Sequence, residues 1–144
     1  MDQIRVMLAD DHDLVRSMVR KFLEKETWIE VVGEACNGFE ALEKVKQCHP
    51  DVLVLDMEMP GLNGVQVARK LKDQQSPVNI LALSAYDDLN YIKGALENGA
   101  SGYLLKDDLP NGFARLVKRV AQGEKGVLSD EIASKIKNRK TLQE

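Results

Sequence analysis

VLVLDMEMPG, residues 52–61, decides the fold. Val52, Leu53, Val54 and Leu55 form an unbroken apolar run, the pattern of a strand covered on both faces. The run stops at an acid, Asp56. An ionised carboxylate at the end of a buried strand needs water, a counter-ion or a metal, so this position asks for charge. Outward from it, similar β-rich runs recur: IRVMLA (4–9), IEVVGEA (29–35), DVLVLD (51–56, which contains the first), NILALS (79–84) and GYLLK (102–106).

Segments with helical period separate these runs. In 13–26, Leu14, Val15, Met18, Val19, Phe22 and Leu23 are expected on one face. The corresponding sets are Ala41, Leu42 and Val45 in 38–49; Val65, Ala68 and Leu71 in 64–74, with Asn63 as cap; and Ile92, Ala95 and Leu96 in 88–98, stopped by Asn98-Gly99. In 109–122 the set is Leu109, Phe113, Leu116, Val117 and Val120. Five strands alternating with five helices predict an α/β protein, a parallel sheet with helices on both faces. The expected fold is a flavodoxin-like, doubly wound (βα)5 sandwich with strand order 2-1-3-4-5. Such sheets carry their sites beyond the carboxyl ends of the strands.

The chain has 144 residues, enough for one core. With 44 % hydrophobic and 30 % charged residues it reads as globular. A net charge of −3 is poorly suited to holding nucleic acid by bulk electrostatics. No apolar stretch reaches the roughly 18 residues of a spanning helix, so no membrane partner is expected, and MDQIRVML lacks the layout of a signal peptide. Cys36 and Cys48 lack metal-site spacing. With most of a helix between them they are expected to be free thiols, as in a cytosolic protein.

At the predicted strand ends stand Asp10 and Asp11, then Asp56, Ser84 and Lys106. Each alone has an ordinary explanation. Acids such as Asp10, Asp11 and Asp13 favour helix N-termini, and serine caps helices. Together, on strands that the expected order makes neighbours, they put three carboxylates, a hydroxyl and an ammonium into one shallow cleft. Carboxylates so close repel one another unless a cation joins them, and hard oxygen ligands suit Mg²⁺. A carboxylate can act as nucleophile and become an aspartyl phosphate. Phosphoryl transfer asks for positioning and charge neutralisation, which a divalent ion, a lysine and a hydroxyl supply. Asp56 is the expected nucleophile.

These residues also resemble a known family. Asp10-Asp11, the run D-M-E-M-P-G at 56–61, Ser84-Ala85 and G-Y-L-L-K at 102–106 are similar, in order and over roughly residues 4–122, to the receiver domain of two-component response regulators. L-A-D-D-H, V-V-G-E-A-x-N-G and G-A-x-G-Y-L-L-K look most like the NarL/FixJ-type subfamily. The resemblance implies that Asp56 accepts a phosphoryl group from a histidine kinase or a small phosphodonor. It implies that Asp11, Asp56 and the backbone carbonyl of Glu58 hold Mg²⁺, with Asp10 helping through water. It implies that Ser84 and Lys106 contact the phosphoryl oxygens, and that Tyr103 changes rotamer as Ser84 moves toward the phosphate. Gly61 and Gly64 suit the turn after the third strand. Glu58 and Tyr86 occupy positions that resemble those tuning phosphate lifetime. One departure is plain: many receivers follow the lysine with a cis proline, whereas Lys106 precedes Asp107, where a cis bond costs about 3–4 kcal/mol.

The implied function is a signalling switch in the cytoplasm that catalyses only its own phosphorylation and dephosphorylation. Its partner surface would involve the fourth and fifth helices and the strand between them, with Lys93, Arg115, Lys118 and Arg119 among the exposed charges and a homodimer as one outcome. The alternative is a phosphatase of the haloacid-dehalogenase type, which also uses a strand-end Asp with Mg²⁺. It needs a second Asp two residues on, where this chain has Glu58. A flavin or dinucleotide module needs a glycine- or hydroxyl-rich phosphate loop; this chain has DDHD. His12 is expected to be a solvated loop histidine, and His49 a favourable cation at a helix end. Residues 1–122 are expected to form the receiver. Residues 123–144 are expected to form one more helix, capped by Ser129, with Leu128, Ile132 and Ile136 on one side, as a solvated terminal helix or tail or, on the sharper reading, a linker toward another domain. That segment leaves no room for the helix-turn-helix usual in the subfamily. The chain is therefore expected to be part of a longer regulator, with a stand-alone receiver as the alternative, and DNA would be reached only through an output domain absent from this sequence.

Overall fold

Alternation along the central strands sets up two cores. In the computed structural model, which describes residues 2–143 and side chains through Lys137, the third strand is buried from end to end. Because successive side chains point to opposite faces, Leu53 and Leu55 join one core and Val52 and Val54 the other. The strands are β1 (Ile4–Ala9), β2 (Ile29–Ala35), β3 (Val52–Asp56), β4 (Asn79–Ser84), β5 (Gly102–Leu105) and β6 (Val127–Leu128). The helices are α1 (Asp13–Glu24), α2 (Gly38–Cys48), α3 (Gly64–Asp73), α4 (Leu89–Glu97), α5 (Phe113–Ala121) and α6 (Asp130–Gln143). All pairings are parallel, in the order β2-β1-β3-β4-β5-β6. Side chains of α1 and α5 (Val19, Leu23, Phe113, Leu116, Val117, Val120) fill one core. Those of α2, α3 and α4 (Ala41, Val45, Val67, Ala68, Leu71, Ile92, Ala95) fill the other. The flavodoxin-like order 2-1-3-4-5 is therefore present, with one strand added.

Local chemistry starts the helices where expected. Asn37 Oδ1 accepts the Glu40 amide at 2.8 Å at the head of α2. Asn63 and Gln66 form a reciprocal capping box at the head of α3, and Asp88 accepts the Asn90 amide at 2.8 Å at the head of α4. Cys36 and Cys48 are free. Among the described residues no helix is long and apolar enough to cross a membrane.

Four local expectations need correction. Leu14 and Met18 are exposed, at 82 % and 40 %. The inward seam of α1 is buried Val19 and Leu23 with half-buried Val15 and Phe22, and the 14/18 row is turned away from it by about 100°. Helix α5 begins at Phe113, not 109. Pro110 lacks an amide hydrogen, its bond from Leu109 is cis, and Gly112 has φ +71°. That cis bond lies three residues beyond Lys106-Asp107, and Lys106–Asp108 form a single 3-10 turn. Finally, Leu128 belongs to β6 rather than to a face of the last helix. Ser129 does cap α6, its Oγ accepting the Ile132 amide at 3.4 Å.

Candidate phosphoacceptor site

Register brings the charged residues together. Ala9 of β1 pairs with Leu55 of β3, so Asp10 and Asp56, each the next residue, emerge side by side. Ser84 pairs with Leu105, which places Lys106 just past the same edge. The Lys106 ammonium lies 3.3 Å from Asp56 Oδ1 and 3.5 Å from Asp10 Oδ2. Asp10, Asp11, His12 and Asp56 each offer a ligand atom, all within 4.8 Å of one another. Asp56 is 0 % exposed.

The backbone fixes one oxygen of Asp56 and one of Asp10. The Glu58 amide donates to Asp56 Oδ1 at 3.0 Å and the His12 amide to Asp10 Oδ1 at 2.9 Å. Arg16 holds the Asp10 carbonyl at 2.8 Å. The opposite oxygens are left over. Asp10 Oδ2, Asp11 Oδ1 and Asp56 Oδ2 are buried and accept no hydrogen bond. Buried polar atoms are ordinarily paired; three carboxylate oxygens without hydrogen bonds in one cluster could hold a hard divalent cation, and Mg²⁺ fits their chemistry.

Electrostatics express the same crowding. Burial, and then the neighbouring Asp10 charge, push the Asp56 carboxyl up to about 6, against the Glu58 amide and Lys106, which pull it down. Burial pulls the Lys106 ammonium down, but Asp56 and Asp10 outweigh it and raise the net value. Close approach of backbone is needed as well. A Cβ on Gly64 would lie 2.4 Å from the Asp56 carbonyl oxygen, so only glycine lets α3 start this near the acid.

The remaining expected residues sit on the β4 side. Ser84 is buried, and its hydroxyl donates to Glu58 Oε2 at 2.7 Å. The Ala85 amide donates to Glu58 Oε1 at 2.8 Å. Ser84 Oγ also accepts the Tyr86 amide at 3.1 Å, and the Tyr103 hydroxyl donates to the Tyr86 carbonyl at 2.7 Å. Tyr103 is 0 % exposed and burial raises its phenol above the usual range. Sequence reasoning did not foresee the Glu58 carboxylate across Ser84 and Ala85; the only signal was an acid two residues after Asp56. It also treated His12 as a bystander. The ring is exposed as expected, yet Nδ1 lies 3.3 Å from Asp11 Oδ1. Of the four outlying cations, Lys118 lies over the Trp28 ring, 5.8 Å from its centroid and on the α1 side of the sheet. It therefore does not belong to the expected α4–β5–α5 face. Lys93 pairs with Glu97 at 3.9 Å and Arg119 with Glu124 at 3.0 Å.

Known proteins resemble this chain over most of its length. Residues 6–121 match the family model "Response regulator receiver domain". The chain is 40 % identical over 122 residues to the transcriptional regulatory protein DegU of Brevibacillus brevis, covering 85 % of this chain and 52 % of that protein. It is 39 % identical over 122 residues to the probable transcriptional regulatory protein NarL of Mycobacterium tuberculosis, covering 85 % and 56 %. The solved receiver domain of the latter superposes with a TM-score of 0.83 at 39 % identity, covering 86 % of this chain and all of that one. A LuxR-family response regulator from Aurantimonas gives 0.90 at 28 % identity, covering 97 % and 99 %. The chain thus spans about half the length of the curated relatives it matches. The haloacid-dehalogenase alternative finds no support in these likenesses, and Glu58, at the place of its second acid, is engaged by Ser84 and Ala85.

Proposed function

This chain belongs to the response regulator receiver domains, and from that premise we propose that Asp56 is its phosphoacceptor. The observation that carries the reading is the set of three orphaned carboxylate oxygens with Lys106 lying between Asp10 and Asp56. Asp10, Asp11, Asp56 and the Glu58 carbonyl would hold Mg²⁺, which supplies positive charge to the phosphoryl oxygens. A carboxylate oxygen of Asp56 attacks phosphorus. The donor's P–O or P–N bond breaks, and its electron pair leaves with the donor. Lys106 neutralises one phosphoryl oxygen, and the Ser84 hydroxyl, turning from Glu58, donates to another. The group rests on Asp56 until it is hydrolysed, and the chain acts as a switch.

The donor is a histidine kinase or a small acyl phosphate, in the cytoplasm where such kinases present their phosphohistidine. Residues 1–122 would carry the receiver, and 123–144, whose β6 and Ile132 pack onto its sheet, would lead toward an output domain. Through that domain the longer protein would act on transcription, as the names of the relatives suggest, and pairing of two receivers on phosphorylation fits the same role. Incubation with acetyl phosphate and Mg²⁺, read by intact mass, tests the assignment. The wild type gains one phosphoryl group and Asp56→Asn gains none; equal gain by the variant refutes it.

A further inference from the structure

The last helix is tied to both arms of the site. On one arm Ser84 Oγ accepts the Tyr86 amide at 3.1 Å, and the next residue, Asp87, accepts an ion-paired hydrogen bond from Lys135 of α6. On the other arm Lys106 reaches Asp56 at 3.3 Å, and two residues later buried Asp108 accepts the Ser129 hydroxyl at 3.2 Å, at the cap of α6. Between these anchors Ile132 is 0 % exposed within the core of α2, α3 and α4, and Ile136 packs against it. The two side chains expected to grip a phosphoryl group therefore each stand within three residues of a point that holds α6.

We propose that α6 is a strap whose seating reports the state of Asp56. Seated, it lies beside β6 and packs Ile132 and Ile136 against the core beneath α4; phosphorylation unseats it and frees that face and the chain beyond. The proposal rests on the phosphoacceptor reading. When Ser84 exchanges Glu58 for a phosphoryl oxygen, the 85–88 loop that it holds through the Tyr86 amide shifts, and Asp87 shifts with it. When Lys106 turns from the carboxylates to the phosphoryl group, the 3-10 turn that carries Asp108 shifts as well. The seat can give way. Its ion pair is half-exposed and hence weak, and a cleft of about 240 Å³ remains between α5 and α6, lined by Asp108, Arg115 and Glu131 among others. Most of the hold comes from burying Ile132.

Amide hydrogen exchange tests this on the intact chain, with and without acetyl phosphate and Mg²⁺, phosphoryl uptake being read by mass on the same sample. Exchange across 130–137 should speed up by about fivefold or more, the low end of ordinary coupling between sites, while amides of β3 stay protected. Lys135→Gln should speed the same amides before phosphorylation and shrink the further increase. Unchanged or slower exchange across 130–137 in protein whose mass shows a phosphoryl group overturns the strap and leaves the phosphoacceptor reading standing. No uptake by the wild type overturns that reading and the strap with it.

Discussion

The two ends of the same strands are built on opposite terms. At the amino end of β3 the exposed acid Asp51 ties strands together. Its Oδ2 accepts the Arg5 amide at 2.9 Å and its carbonyl accepts the Asn79 amide at 3.1 Å, while the Arg5 guanidinium reaches the Cys48 carbonyl at 2.5 Å. At the carboxyl end, three buried carboxylate oxygens accept no hydrogen bond. One end satisfies its polar groups and holds neighbouring strands in place. The other concentrates like charge where it costs stability, as groups kept for function rather than for the scaffold do.

Exchanging the roles of the two ends is the strongest way to break this contrast. Asp56→Asn should abolish phosphoryl uptake, whereas Asp51→Asn should leave uptake unchanged in the same mass measurement. Next in size, Lys106→Met should slow uptake from acetyl phosphate by about 10²-fold, the usual cost of removing one charge-stabilising group. It should also lower stability, because Asp10 and Asp56 lose their shared cation.

Stability against pH sharpens the contrast further. The folded value of Asp56, about 6, lies above its ordinary 3.8, so the folded state holds the proton more tightly. The penalty for ionising it is absent below about pH 4 and complete above about pH 6. Metal-free protein should therefore lose stability as pH rises through this window, and Asp56→Asn should be the more stable by about 3 kcal/mol at neutral pH. Urea unfolding in a chelator measures this. Asp108, also raised to about 6 by burial and then by Glu131, adds in the same direction in both proteins and drops out of the difference. Added Mg²⁺ should narrow the gap.

Smaller effects follow from packing. Gly64→Ala should cost about 1–3 kcal/mol and slow uptake, since its Cβ would meet the carbonyl of Asp56 itself. Asp51→Ala should cost about 1 kcal/mol with uptake intact. Denaturation midpoints beside the phosphorylation rate check both.

Much of this was legible before the structure. The run 52–55 ends in Asp56 because the strand is buried on both faces and its end must be polar, and β1, β4 and β5 likewise run into Asp10, Ser84 and Lys106, so order and site end could be read together. Short elements without a pattern could not. Two residues, Val127 and Leu128, are too few to show alternation. Their strand also depends on Gly102, where a Cβ would lie 2.6 Å from the Val127 carbonyl, a contact about 25 residues away in sequence. Leu14 looked like core because hydrophobicity says nothing about which row of a helix faces the sheet. Asp10, Asp11, Asp56, Ser84 and Lys106 were visible as types at strand ends. The Glu58 carboxylate lying across Ser84 and Ala85 was not, since it depends on a rotamer and on the loop that meets it.

Borohydride reduction of the protein after reaction with acetyl phosphate and Mg²⁺, followed by peptide mass mapping, asks which carboxylate carries phosphorus, because only an acyl phosphate is reduced to an alcohol. Homoserine in place of Asp56, with Asp10, Asp11 and Asp51 unchanged, is the predicted result. Conversion at Asp10 or Asp11 with Asp56 intact would contradict the account.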